Sequence, residues 1–332
     1  MLTCGIIGFG GLGKHHFGDL CKMTEKVKIA ALCDVDEEQF SKKTDTNLGN
    51  DRTSVDLSRY HLFSDYHKML ADLPLDFVVV ALPTFLHAEV SVAAMEAGCH
   101  VFCEKPMALS NGESRRMLET SRKTGKLLMI GHNLRFWPDF RKLKELIDSG
   151  EYGAVVRADF SRLSATPKWG WQKWFMDESK SGGSALDLHI HDVDAINWMF
   201  GPPQYVLSSA THFVTRFDSI STSYFYPDGK IVTAVSDWGM AEKFPFRMCF
   251  IVRFEKAVAE MDPDGFRIIT DDLIIKPQLP EPNSYYDEML DFVQCIEQGK
   301  PISINPPEYS MTSLKIALAE KESALKGAAV VL

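Results

Sequence analysis

The chain has 332 residues, 45% of them hydrophobic and 24% charged, which suits a folded soluble protein too long for a single core, so two domains are expected. A formal net charge of -9 excludes the basic footprint of a nucleic-acid or anionic-membrane binder. The seven cysteines are odd in number and form no C-x-x-C pair, so they read as buried thiols of a reducing compartment. The opening MLTCGIIGFG has no basic stretch leading into an apolar segment and cleavage site, and no run of about 18 apolar residues occurs. A cytoplasmic protein with no nucleic-acid and no membrane partner is the expectation.

In chain order, TCGIIGFG, VKIAALCD, LDFVVVALP, HVFCEK and KLLMIGHN are continuous apolar runs separated by helical patterns. Such runs mark strands buried on both faces, so residues 1–131 are expected to form a doubly wound parallel sheet, a Rossmann domain. From about residue 150 the strand patterns become consecutive: AVVRADFSRLS, QYVLSSATHFVTRF, STSYFYPDGKIVTAVSDWG, FRMCFIVRFEKAVAEMD and GFRIITDD. With YPDGK as a hairpin signal, residues 132–332 are expected to hold a mostly antiparallel sheet. Two closing helices, SYYDEMLDFVQCIEQGK and PPEYSMTSLKIALAEKESALKG, are expected to pack back on the first domain.

The first strand leads into Gly8-Phe9-Gly10-Gly11-Leu12-Gly13, the G-x-G-x-x-G spacing. The first glycine makes the turn, the second lets backbone approach a pyrophosphate, and the third allows close helix-to-strand packing. Asp34, ending the second strand, stands where a carboxylate accepts hydrogen bonds from ribose hydroxyls and repels a 2'-phosphate. NAD is therefore favoured over NADP.

Further along, Leu82-Pro83-Thr84, His87 and Glu104-Lys105 follow strand ends. Loops at the carboxyl ends of parallel strands surround the ligand crevice, which puts these residues at the cofactor. A lysine there can hold a substrate hydroxyl and assist proton transfer, and Lys105 is a candidate for both. In GHNLRFWPDF, Arg135 is a candidate for the nicotinamide ribose, the carboxamide or an acidic substrate, and equally for an interdomain ion pair; it is carried among the cofactor residues. KWGWQKWF offers three tryptophans, of which Trp174 is the candidate for stacking on a substrate ring.

DLHIHDVD, residues 187–194, raises a metal question, because His189 and His191 would share a face if the segment were extended. The surrounding SGGSALDLHIHDVDAINWMFGPP instead predicts one helix, with Ile190, Val193 and Ile196 at helical spacing and Gly201-Pro202-Pro203 as its stop. On a helix Asp187, His191 and Asp194 share a face and His189 points away, so no metal is expected. Oxidising an alcohol requires a base, and a carboxylate-oriented imidazole suits that task. Asp187 and His191 are thus the catalytic pair, with Asp187 either orienting the imidazole or holding a second hydroxyl. The division of proton transfer between Lys105 and His191 stays open, and Asp194 reads as structural.

The ordered set of the glycine loop, ALPTFLHAEVSVAAMEAGCHVFCEKPMAL, GHNLRFWP and GGSALDLHIHDVDAINWMFG resembles the glucose-fructose oxidoreductase and inositol dehydrogenase family, Gfo/Idh/MocA, end to end. The resemblance implies an N-terminal Rossmann domain and a C-terminal α/β domain with a large, mostly antiparallel open sheet that carries the substrate site and a homodimer or homotetramer interface. It aligns the family's E-K-P lysine with Lys105 and its D-x-x-x-H pair with Asp187 and His191. It also implies hydride transfer at a secondary alcohol of a sugar, inositol or related polyol. An NAD-dependent glycosidase and a dinucleotide- or sugar-sensing regulator are the alternatives. Thr84 stands where many members have Asn, and His189 where many have Gly.

Overall fold

The computed structural model describes residues 1–42 and 56–332. Six strands, β1 (Leu2–Ile7), β2 (Val27–Cys33), β3 (His61–Phe63), β4 (Phe77–Val80), β5 (His100–Glu104) and β6 (Leu128–Gly131), alternate with helices α1 (Gly11–Leu20), α2 (Tyr66–Asp72), α3 (His87–Glu96) and α4 (Asn111–Thr124). Their spatial order, β3-β2-β1-β4-β5-β6, and uniformly parallel pairing are those of a Rossmann sheet. β4 (FVVV) and β6 (LMIG) are buried at every residue, as strands without a polar side chain require when helices cover both faces.

After α5 (Pro138–Ser149) and β7 (Val155–Ala165), three helices follow in quick succession: α6 (Glu178–Ser181), α7 (Ser184–Asp187) and α8 (Ile190–Phe200). β8 (Tyr205–Thr211), β9 (Ser219–Phe225), β10 (Ile231–Met240), β11 (Arg247–Phe254), β12 (Val258–Asp262), β13 (Gly265–Ile269) and β14 (Ile274–Ile275) come next. α9 (Ser284–Gln298), α10 (Pro307–Lys326) and β15 (Val330–Val331) close the chain. The nine strands from β7 to β15 make one sheet in the order β14-β13-β12-β11-β7-β10-β9-β8-β15. It is antiparallel except where β10 runs parallel to β7. The hairpin foreseen at YPDGK joins β9 to β10, with Gly229 at φ 76°.

The chain folds as two compact units: Met1–Asn133 with Trp169–Trp174 and Tyr285–Met311, and Leu134–Lys168 with Phe175–Ser284 and Thr312–Leu332. In the second unit one face of the sheet is covered: α7 packs on β9 and β10, and α8 on β7. Along β10 the pattern is period two, with Val232, Ala234, Ser236 and Trp238 buried and Ile231 and Val235 exposed. Ala185 of α7 packs with Phe217 and Ile220 in this core.

The single helix expected over residues 184–200 is broken. α7 ends at Asp187 and α8 begins at Ile190. The apolar spacing on which the expectation rested is intact, but Leu188 and His189 both donate their N–H to the Ser184 carbonyl, at 2.9 and 2.8 Å. That second, wider contact interrupts the regular i to i-4 ladder.

Two buried ion pairs then fix α8. Asp192 takes Nε and Nη2 of Arg162 on β7, both at 3.0 Å, and Asp194 takes Nε and Nη2 of Arg135, both at 2.9 Å. Ser313 on α10 donates to Asp194 at 2.7 Å and accepts from Asn197 at 3.0 Å. All four charged side chains are almost wholly buried. Asp194→Ala would strand the Arg135 charge away from water, and a loss of about 3–5 kcal/mol of unfolding free energy is expected in denaturant titrations. Replacing Arg135 and Asp194 together by Met and Leu is expected to recover most of that loss.

Candidate functional site

The glycine loop is shaped by sterics. Gly8 has φ 92°, and a Cβ there would overlap the Ala81 carbonyl; a Cβ on Gly13 would overlap the Gly8 carbonyl. Gly10 differs, with an ordinary φ of -75° and nothing within 4 Å of the place a Cβ would occupy. Its lack of a side chain therefore serves something other than packing of the chain. Gly10 is also the N-cap of α1 and provides no side-chain cap, so the first-turn N–H groups face outward at the positive end of the helix. A pyrophosphate fits this donor set and this space.

Asp34 lies beside the loop, its Oδ2 accepting from the Phe9 N–H at 2.7 Å and its Oδ1 from Asp36 N–H at 2.9 Å. Burial pushes its carboxyl up, against the pull of these two hydrogen bonds. Phe9 points inward and packs edge-on against Phe17, so its contribution is backbone and core. Gly11 and Leu12 keep partial exposure.

The second strand-end cluster divides into surface and support. Leu82, Pro83 and Lys105 are partly exposed. Thr84 is buried and its Oγ1 has no hydrogen-bond partner, an orphan that a ligand amide could satisfy. His87, expected at the cofactor, is instead 1% exposed and places Nδ1 and Nε2 each 2.8 Å from a carbonyl, of Pro106 and of Leu82. It ties one loop to the other, and burial lowers its pKa against those two contacts.

Glu104 is likewise buried rather than presented to a ligand. Its Oε1 lies 2.6 Å from His16 Nε2, and its Oε2 accepts from the Lys105 N–H at 3.2 Å. Gly131 on the adjacent β6 leaves room for this carboxylate, since a Cβ there would come within 3.1 Å of Oε1. Burial raises the Glu104 carboxyl, but the His16 hydrogen bond and the nearby His16, Lys105 and His87 charges outweigh it and hold the group below the usual range. Glu288 on α9 is fully buried, with neither oxygen hydrogen-bonded, and burial with the charges of Glu104 and Asp19 pushes its carboxyl well up. Sequence reading missed this buried group: His16 was one more polar residue on α1, and nothing local marks Glu288. Asn133, two residues past β6, is a second buried side chain with an orphan acceptor, Oδ1.

In the second unit, two left-handed glycines launch α7. Gly182 has φ 76° and Gly183 φ 73°, where a Cβ would lie 2.5 Å from the Arg216 carbonyl. Between Ser181 and Asn197 every residue is buried except Asp187, Leu188 and His191. The face predicted to carry Asp187, His191 and Asp194 thus loses Asp194 to its ion pair. Arg135, expected at the cofactor, is 1% exposed and bound to Asp194 within the same unit. His189 is wholly buried, so the H-x-H letters separate into one interior and one accessible imidazole. Among the described residues no group of three or more His, Cys, Asp or Glu is placed to hold a metal ion. Trp174 is half-buried and follows Gln172 and Lys173, both left-handed, in a segment that folds with the first unit.

Comparison with known proteins agrees with this architecture. Residues 2–132 match the profile described as "Oxidoreductase family, NAD-binding Rossmann fold", and residues 140–260 match the GFO/IDH/MocA C-terminal domain. The chain belongs to the GFO/IDH/MocA oxidoreductase family, and its first unit is an NAD-binding Rossmann domain. It is 29% identical over 199 residues to inositol 2-dehydrogenase of Salmonella typhimurium, covering 60% of this chain and 54% of that protein. The chain thus spans about half the length of such curated relatives. It is also similar to D-glucoside 3-dehydrogenase of Escherichia coli, 27% identical over 357 residues, which covers 100% of this chain and 97% of that one. The WlbA dehydrogenase of Bordetella pertussis, solved with NADH and UDP-GlcNAcA, shares the fold at a TM-score of 0.84 and 20% identity, covering 100% and 98% of the two chains.

Two outcomes follow from this geometry. Gly10→Ala is expected to keep the wild-type melting temperature while weakening NAD binding at least about tenfold in calorimetry, about 1.4 kcal/mol. Gly13→Ala is expected to destabilise the fold itself. The second outcome concerns pH. Folded Glu288 keeps its proton while the unfolded chain releases it near the ordinary value of 4.5, so this group's contribution is intact at acid pH and is lost as pH rises above that value. Glu288→Gln should therefore gain in melting temperature over wild type between about pH 5 and about pH 8, and an equal offset at both would contradict the assignment.

Proposed function

We propose that the protein is an NAD-dependent dehydrogenase that oxidises a secondary alcohol of a sugar, inositol or related polyol. The observation that carries this reading is selective exposure. In a segment buried from Ser181 to Asn197, the polar residues left accessible are one carboxylate, Asp187, and one imidazole, His191, in a chain that also has a dinucleotide-binding loop.

Bound NAD supplies the hydride acceptor at its nicotinamide C4. The chain's own groups handle the rest of the alcohol. The His191 imidazole takes the hydroxyl proton, Asp187 orients that ring or holds a neighbouring hydroxyl, and the Lys105 ammonium holds the reacting oxygen as negative charge develops on it. Glu104 acts from behind by accepting the Lys105 backbone N–H. Trp174 offers an aromatic face to the substrate ring. Asp34 disfavours a 2'-phosphate, which selects NAD over NADP. Inositol and glucoside are named in relatives of this chain, which supports a cyclic polyol.

Two finer features belong to the same reading. None of the seven cysteines forms a disulfide, and no helix among the described residues is long and apolar enough to cross a membrane, which supports a cytoplasmic setting. The other face of the nine-stranded sheet, with Ile231 and Val235 exposed on β10 and Ile251 exposed on β11, either side of β7, supports a homodimer or homotetramer.

Purified protein with NAD and a panel of inositols, aldoses and glycosides is expected to develop the NADH absorbance band with at least one polyol. Aglycone release without net NADH would point to a glycosidase, and tight NAD binding with neither reaction to a sensor. His191→Ala is expected to cut kcat about 10²–10⁴-fold while NAD affinity stays within about threefold. Equal losses in both would sink the assigned role.

A further inference from the structure

His189 lies at the break between the two short helices that carry Asp187 and His191. Such a break does not hold itself. Ser184 O accepts from both Leu188 and His189, and His189 O accepts from both Asp192 and Val193, at 3.0 and 3.1 Å, so the junction has shared acceptors in place of a regular ladder. Interruptions of this kind recur at functional sites and persist where surroundings over-determine them.

The surroundings do so through one side chain. His189 is 0% exposed; its Nδ1 lies 2.7 Å from Ser236 Oγ, and its Nε2 lies 3.0 Å from Glu320 Oε2 and 3.4 Å from the Tyr224 hydroxyl. Those partners come from the β9–β10 hairpin and from α10, which the fold of the second unit brings together. A ring held at both nitrogens cannot turn about its own axis, so the backbone that bears it is fixed in position as well as in tilt. Asp187 precedes it by two residues and His191 follows it by two.

We propose that His189 is the positioning residue for the Asp187 and His191 pair, setting the relative orientation of α7 and α8 through its hydrogen bonds to Ser236 and Tyr224 and its close contact with the Glu320 carboxylate. This inference rests on the catalytic reading of Asp187 and His191 given above. The arrangement of serine, histidine and carboxylate resembles a nucleophile with its base, but all three side chains are sealed from solvent and substrate. Its work is mechanical. The other titratable groups that face the network are Tyr226, just past β9, and Asp192 on α8, the latter held by Arg162 on β7. Burial first, and then the Glu320 charge, drives the Tyr224 phenol well up, so Tyr224 stays a neutral donor throughout the working range.

The test uses full-length protein carrying 15N-labelled histidine, compared as wild type, His189→Ala, His189→Gln, Glu320→Gln and Ser236→Ala. The pH titration of the His191 imidazole is followed by NMR, alongside kcat, KM, NAD affinity and melting temperature. In His189→Ala, the His191 titration midpoint should move, kcat should fall between about tenfold and a hundredfold, and NAD affinity should stay unchanged. His189→Gln, which can still bond one of the partners, should recover part of both effects.

A folded His189→Ala protein whose His191 titration, kcat and pH profile all match wild type would overturn the proposal, as would a kcat loss that only tracks the unfolded fraction. Should His189→Ala fail to fold, Glu320→Gln and Ser236→Ala decide: a moved His191 titration in either supports the coupling, and an unmoved one in both refutes it. If wild type oxidises no polyol, the catalytic reading fails, while the His191 titration still decides whether His189 sets the geometry of its neighbour.

Discussion

A charge taken out of water costs several kcal/mol unless a partner meets it, and the stretch from Asp187 to Asp194 is organised by that constraint. It packs five Asp and His residues into eight positions and buries three of them. Each buried member has its own partner on a different part of the unit: Arg162 for Asp192, Arg135 for Asp194, and Glu320 with Ser236 for His189. α8 cannot slide or roll without breaking several of these at once. Asp187 and His191 are what remains accessible once the other three are spent.

The first unit solves a related problem with sterics in place of charge. Gly8 and Gly13 exist because neighbouring carbonyls occupy the space of a side chain, and together they bring β1 and α1 close enough to expose the Gly10 backbone. The strand-end loops are then tied from beneath: His87 links the carbonyls of Leu82 and Pro106, and Glu104 joins His16 to the Lys105 backbone. Gly131 belongs to the same design, since the Glu104 carboxylate sits where its side chain would be. The parts that would meet a ligand are mostly backbone, and the buried side chains below them keep that backbone in place.

Much of this was legible from local pattern. The glycine spacing, the acid after β2 and the unbroken apolar strands each follow from short-range rules, and the Rossmann order of strands follows from them. The period-two strands of the second sheet were equally plain, though β3, β14 and β15, of two or three residues each, are too short to show a period. Pairings across long separations were not legible. Arg135 and Asp194 are 59 residues apart, and His16 and Glu104 are 88 apart, so a cofactor role for Arg135 and Glu104 was the natural inference from their loops. The break at Leu188 and His189 was hidden for another reason: the apolar positions Ile190, Val193 and Ile196 all lie in α8, beyond a junction made by hydrogen bonds that leave no trace in composition.

The polar anchoring of α8 has a consequence for function. Buried ion pairs contribute little net stability, because desolvation consumes most of their attraction, and an apolar replacement of equal volume often does as well. They are good locators all the same. An apolar helix face tolerates rotation at small cost, whereas a bidentate guanidinium and carboxylate pair fixes distance and angle together. Two such anchors on a helix of 11 residues, with a further contact through Ser313, are more than holding the helix down would need. They make sense if the direction of the accessible side chains matters to within a few tenths of an ångström, as proton transfer to an imidazole demands.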